Sequence, residues 1–144
     1  VKDPSEKKPI EFYLSTYGGS ADDMFALYDI MRTVRQETEI HTLGLGKVMS
    51  AGVLLLAGGT KGKRRIAKNC RVMIHSVAAG NHGNLQDLTN ELEAIQDLQD
   101  MYTNCLVAET SMTESDIKDM LNRNVNVYLS ALEAVKLGIA DIIV

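Results

Sequence analysis

The chain has no tryptophan, two phenylalanines, two prolines and two cysteines among 144 residues. With so few large aromatic side chains, the core has to be built from Leu, Ile, Val, Ala and Met. Cys70 and Cys105 match neither a metal-ligand spacing nor a disulfide framework, so both are expected as buried free thiols in a reducing, cytoplasmic setting. H-x-H, H-E-x-x-H and C-x-x-C are all missing, which leaves zinc unsupported, and no cofactor is expected. The longest apolar run, Ala51 to Gly59, is far too short to span a bilayer, and nothing resembles a signal peptide. A net charge of −4 argues against nucleic acid or an anionic membrane as the main partner. Both prolines fall in the polar opening "VKDPSEKKP", and the start on Val1 suits a trimmed or processed product.

What is present reads as one domain, residues 1–144, large enough to bury a single core. "IEFYLST" (10–16) alternates like a strand and "YGGS" (17–20) follows as a turn. From Ala21 to Arg35, Met24, Ala26, Leu27, Ile30, Met31 and Val34 form one helical stripe, with Ser20 and Asp23 as the start signal. "IHTLGL" (40–45) is a second strand. Met49 to Ala57 is a short helix, apolar nearly all round, that belongs in the interior. "GGTKGKR" is expected to turn at the surface, and Arg65 to Ala67 and Cys70 to His75 are strand material. Leu85 to about Glu109 is the longest helix, with Leu85, Leu88, Leu92, Ile95, Leu98, Tyr102, Cys105 and Leu106 at helical intervals. Thr113 caps a helix running to about Arg123. Ser130 to Leu137 is a helix ended by Gly138, and Ile139 to Val144 closes as a strand. Strands alternating with helices imply an α/β fold with parallel strands and right-handed crossovers.

Three features could carry chemistry, and each has an ordinary structural reading. Gly18-Gly19 is either simple turn chemistry or a place where a substrate backbone approaches outward-pointing N–H groups. Ser50 either opens a buried helix or is a nucleophile; Val48 two residues before it departs from the G-x-S-x-G elbow. Its setting at a strand-to-helix junction puts the unpaired first-turn amide of Ala51 beside the hydroxyl. His75 closes the strand "CRVMIH" and is either a satisfied structural histidine or a base. His41 and His82 have no partner suggested by spacing.

Four blocks decide among these readings: "YLSTYGGSADDMFALYDIM", "GLGKVMSAGVLLLAGGTKGKRRIAKNCRVMIH", "GNHGNLQDLTNELEAI" and "YLSALEAVKLGIAD". From about Ile10 to Val144 the chain resembles the ClpP family, the proteolytic subunits of the ATP-dependent Clp protease. The resemblance implies a ClpP/crotonase-like fold of repeated β-β-α units with a protruding handle helix. It also implies a serine endopeptidase in which Ser50 is the nucleophile, His75 the general base, and Gly19 and Ala51 the backbone donors of the oxyanion hole. Implied partners are peptide or unfolded protein, further copies in stacked tetradecameric rings, and an AAA+ Clp ATPase. No nucleic acid and no membrane are expected.

The chain departs from the family at several points. The family has an Asp before the aromatic-Leu-Ser-Ala segment; here "LNRNVNVYLSA" offers Asn126 when counted back from Tyr128, or Asn124 when counted forward, and Asn126 is favoured. Asparagine accepts the Nδ1–H bond of His75 but does not offset an imidazolium charge. Tyr17 replaces the usual Pro before Gly-Gly, and Val77 replaces a Pro after the histidine, changes expected to loosen both loops. The family's amino-terminal gate and first helix are expected to be missing. Two other readings stay open: a catalytically weak or silent ring subunit, which the asparagine motivates, and a crotonase-type acyl-CoA enzyme, for which no ADP site is marked.

Overall fold

The computed structural model describes residues 7–80, 82–123 and 125–144. Its elements are, in order, β1 (Ile10–Thr16), α1 (Ala21–Val34), β2 (Ile40–Met49), α2 (Ala51–Ala57), β3 (Arg65–Ile66) and β4 (Arg71–Ile74). Then come α3 (Leu85–Glu109), α4 (Glu114–Asn122), β5 (Val127–Leu129), α5 (Ala131–Lys136) and β6 (Ile142–Ile143). The mixed α/β architecture, with a curled sheet and surrounding helices, is the one expected for a ClpP fold.

The sheet is organised around β2. Its first edge carries β1 in parallel, from Ile10↔Ile40 to Thr16↔Val48, with an irregularity between Leu14 and Thr16. Its second edge is divided: Leu43 and Gly44 pair with β3, while Lys47, Val48 and Met49 pair with Arg71, Val72 and Met73 of β4. The sheet therefore forks, with β6 beyond β3 and β5 beyond β4. Every pairing is parallel except β4 with β5, where Val72 faces Leu129 and Ile74 faces Val127. The alternation of strands and helices predicted parallel pairing throughout and no strand at β5. Three residues are too few for a two-residue period to stand out, so this strand is visible only through its pairing.

The core is aliphatic, as the shortage of aromatics requires. Val53, Leu54, Leu56 and Ala57 of α2 are fully buried with Val48, Ile66, Val72 and Ile74 of the sheet. The expected stripe of α1 is corrected by the structure. Met24, Phe25, Tyr28 and Met31 are buried, whereas Leu27 and Ile30 are exposed. A polar anchor turns the helix this way: the Tyr28 hydroxyl donates to Glu109 at 2.6 Å, and Arg35 at the end of α1 bonds both oxygens of that carboxylate. The stretch "GGTKGKR" likewise does not lie wholly at the surface. Arg64 is only 4% exposed and donates to the carbonyls of Ala57 and Glu109 and to the Asp141 carboxylate.

The long helix is half buried and half free. Tyr102, Thr103, Leu106 and Glu109 are buried in its C-terminal part, but Leu85, Leu88 and Leu92 are 81%, 43% and 67% exposed. The apolar stripe read along the whole helix thus joins the protomer core only from its middle onward. Its start is fixed locally by a capping box, Asn84 with Asp87.

Candidate active site

Parallel pairing sets the site, because ligands on such sheets gather beyond the carboxyl ends of the strands. β1 ends at Thr16, level with Val48, and is followed by Gly18-Gly19. β2 ends at Met49, level with Met73, and is followed by Ser50. β4 ends at Ile74 and is followed by His75. Three strand ends thus deliver the glycine turn, the serine and the histidine to one place. A cavity of about 250 Å³ there is lined by Gly19, Ser50, Ala51 and His75, with Met24 and Tyr102 among the other walls.

The backbone at Ser50 is unusual. Its φ of 55° and ψ of −118° make it the one non-glycine residue at positive φ among the described residues. Such a conformation costs ~1–3 kcal/mol in an L residue and persists only where the surroundings hold it. Here the Ser50 N–H donates to the Met73 carbonyl at 2.8 Å, and its own carbonyl accepts from Val53 N–H at 3.0 Å and from the Tyr102 hydroxyl at 3.1 Å. Gly18 closes over the turn: a Cβ built there would lie 2.7 Å from Ser50 Cβ and 3.1 Å from its Oγ. Gly52 allows the other close approach, since a Cβ there would meet Thr16 Cγ2 at 2.5 Å. The junction is therefore a strained strand-to-helix elbow without the first glycine of G-x-S-x-G.

Two amides are free for a ligand. Among the described residues, neither Gly19 nor Ala51 donates its N–H to another group. Ala51 opens α2, where first-turn donors have no partner within the helix. Ser50 and His75 line the same cavity, and among the described residues neither side chain bonds to the other or to a third residue. Asn126 lies one step beyond the Ile74↔Val127 pair, so continuing the antiparallel register sets it opposite His75, although no hydrogen bond joins them. The alternative Asn124 lies outside the described residues.

Other expectations are adjusted by the geometry. Tyr17 does not leave its loop untethered: the Lys47 ammonium sits 4.4 Å from the centroid of its ring. His41 has acidic partners after all: Glu39, just before β2, at 2.7 Å and Glu11, its cross-strand neighbour on β1, at 3.6 Å. Sequence reasoning placed Tyr102 in a core stripe and assigned it no other task. A buried tyrosine needs a partner for its hydroxyl, and that need was the signal available. Burial also pushes its phenol far above the usual range, so it remains a donor at any working pH.

The description "Clp protease" belongs to a family model that matches residues 2–144. The chain belongs to the Clp protease family. Two relatives, both named ATP-dependent Clp protease proteolytic subunit 1, come from Prochlorococcus marinus strain MIT 9312 and from P. marinus subsp. pastoris strain CCMP1986. Each is 34% identical over 143 residues, covering 99% of this chain and 70% of the relative. Membership extends over nearly the whole chain and so includes all three strand ends that meet at the cavity.

Proposed function

We propose that the chain is a serine endopeptidase, a proteolytic subunit of a Clp-type ATP-dependent protease that acts with a Clp ATPase on peptide or unfolded protein. The observation that carries this reading is Ser50, held at positive φ beside His75 in a cavity rimmed by two undonated amides. His75 takes the proton from the Ser50 hydroxyl as the oxygen attacks a peptide carbonyl. The N–H groups of Gly19 and Ala51 stabilise the oxyanion, a contribution worth ~10²–10³ in rate per donor in such sites. His75 then returns the proton to the leaving amine, and water repeats the sequence on the acyl-enzyme. Attack requires a His75–Ser50 hydrogen bond, and catalytic hydrogen bonds of this kind often tighten only once substrate is bound.

Asn126 is the third member in this reading, its side-chain oxygen holding the Nδ1–H of His75. An amide leaves the imidazolium charge unmatched, so intrinsic turnover is low. Asn126→Asp is expected to raise peptidase turnover about tenfold or more in the assembled protein, and Ser50→Ala to abolish it. Unchanged or lower turnover in Asn126→Asp removes that assignment, and activity surviving Ser50→Ala removes the mechanism.

One observation favours the second reading, a weak or silent ring subunit that assembles with active ones. The His75 ring has neither Ser50 nor an acidic group as a hydrogen-bond partner among the described residues. In that case Asn126→Asp leaves turnover at the level of Ser50→Ala.

A further inference from the structure

The cavity is closed on one side by α3, and two of its residues, one turn apart, reach the two chemical blocks separately. The Tyr102 hydroxyl, from a side chain only 4% exposed, donates to the Ser50 carbonyl at 3.1 Å. Gln99 accepts through Oε1 from the Val77 N–H at 3.1 Å, two residues beyond His75. Residues three apart on a helix share a face, so a single rigid surface holds both the serine turn and the histidine loop.

We propose that Gln99 and Tyr102 are positioning residues for this site, a role that rests on the reading of Ser50 and His75 as nucleophile and base. The argument for Tyr102 follows from peptide planarity. The Ser50 carbonyl and the Ala51 N–H are opposite ends of one rigid plane. A donor fixed on the carbonyl therefore fixes the direction of the N–H, and it also polarises that N–H toward stronger donation. The strained φ of Ser50 has to be held by its surroundings, and the Tyr102 hydroxyl shares that task on the carbonyl with the Val53 N–H. The argument for Gln99 follows from the residue it holds. Val77 stands where the resemblance expects proline, which has no N–H to offer. The stiffness a proline ring would give the histidine loop is replaced here by a bond to α3. Together the two bonds set the separation between Ser50 and His75 through one helix.

The test uses the full chain and steady-state hydrolysis of a fluorogenic peptide, with Ser50→Ala as the zero. Tyr102→Phe and Gln99→Leu are each expected to lower kcat about fivefold with KM little changed, as loss of one hydrogen bond felt in the transition state predicts. Gln99→Glu, which keeps the acceptor, is expected to restore most of the loss. In a Val77→Pro background, Gln99→Leu is expected to cost nothing more, since no N–H remains to be held. Amide exchange at Val77 reads the tether without any turnover: protection is expected in the parent chain and loss of it in Gln99→Leu. The proposal is overturned if Tyr102→Phe and Gln99→Leu match the parent kcat, if the loss lies in KM alone, or if Val77 exchange is unaltered. Turnover that survives Ser50→Ala overturns the nucleophile reading and the catalytic role of both residues with it. Turnover abolished by Ser50→Ala but untouched by the α3 variants overturns this proposal alone.

Discussion

Ser50 and Gly18 constrain each other. At a φ of 104° Gly18 occupies backbone space that side-chain-bearing residues rarely adopt, and a Cβ there would also lie 3.0 Å from the Met49 carbonyl. Ser50 in turn keeps a side chain where glycine would rest without strain. If the strain is held for chemistry rather than stability, the two simplest replacements should separate. Ser50→Gly is expected to be more stable than Ser50→Ala by about 1 kcal/mol, the relief of positive φ outweighing the added freedom of the unfolded chain. Thermal or denaturant unfolding of the two variants measures it, and equal stability would mean that the turn is not strained. Ser50 and His75, which the structure brings to one cavity, were candidates in the sequence through the blocks they sit in. The need for Gly18 at the serine was not legible, because it arises between residues more than thirty apart. Asn126 was legible only as a count from Tyr128; continuing the antiparallel register of β5 sets it opposite His75.

At the scale of elements, two partly buried ion pairs tie together segments far apart in the chain. Arg64 before β3 bonds Asp141 before β6 at 2.8 Å and 2.9 Å, and Arg35 after α1 bonds Glu109 at the end of α3. The Arg64 guanidinium bonds the Asp141 carboxyl and, against the opposing effect of burial, holds it below its usual range. Burial alone would raise Glu109, but bonds from Arg35 and Tyr28 outweigh it and keep this carboxyl low as well. A carboxyl lowered on folding contributes stability above its unfolded value, about 4, and that contribution is lost as pH falls through the lower folded value. Stability is therefore expected to be flat from neutral pH to about 5 and to fall below about 4. Asp141→Asn, which leaves Arg64 buried without its counter-ion, should cost about 3 kcal/mol at neutral pH and flatten the acid limb. An acid limb as steep in Asp141→Asn as in the parent would contradict this. These pairs were not legible from composition, since Arg64 sits in a stretch that reads as surface turn. The helix starts read from caps were: Ser20 and Thr113 each accept the amide three residues on.

At the scale of the molecule, the exposed leucines in the first half of α3 join no buried core among the described residues. Leu85, Leu88 and Leu92 lie within two turns of one another and are all exposed, an apolar patch of the kind that interaction surfaces use. With assembly into stacked rings implied by the family resemblance, Leu92→Glu is expected to lower particle mass by sedimentation while leaving protomer unfolding nearly unchanged. A particle mass equal to the parent's would place the contact elsewhere. The central claim, that Ser50 is a nucleophile activated by His75, is tested most directly by reacting the full chain with a fluorophosphonate and locating the adduct by peptide mass. The account predicts one adduct on Ser50, formed far more slowly in His75→Ala. No adduct at Ser50, or one formed as fast without His75, would contradict it.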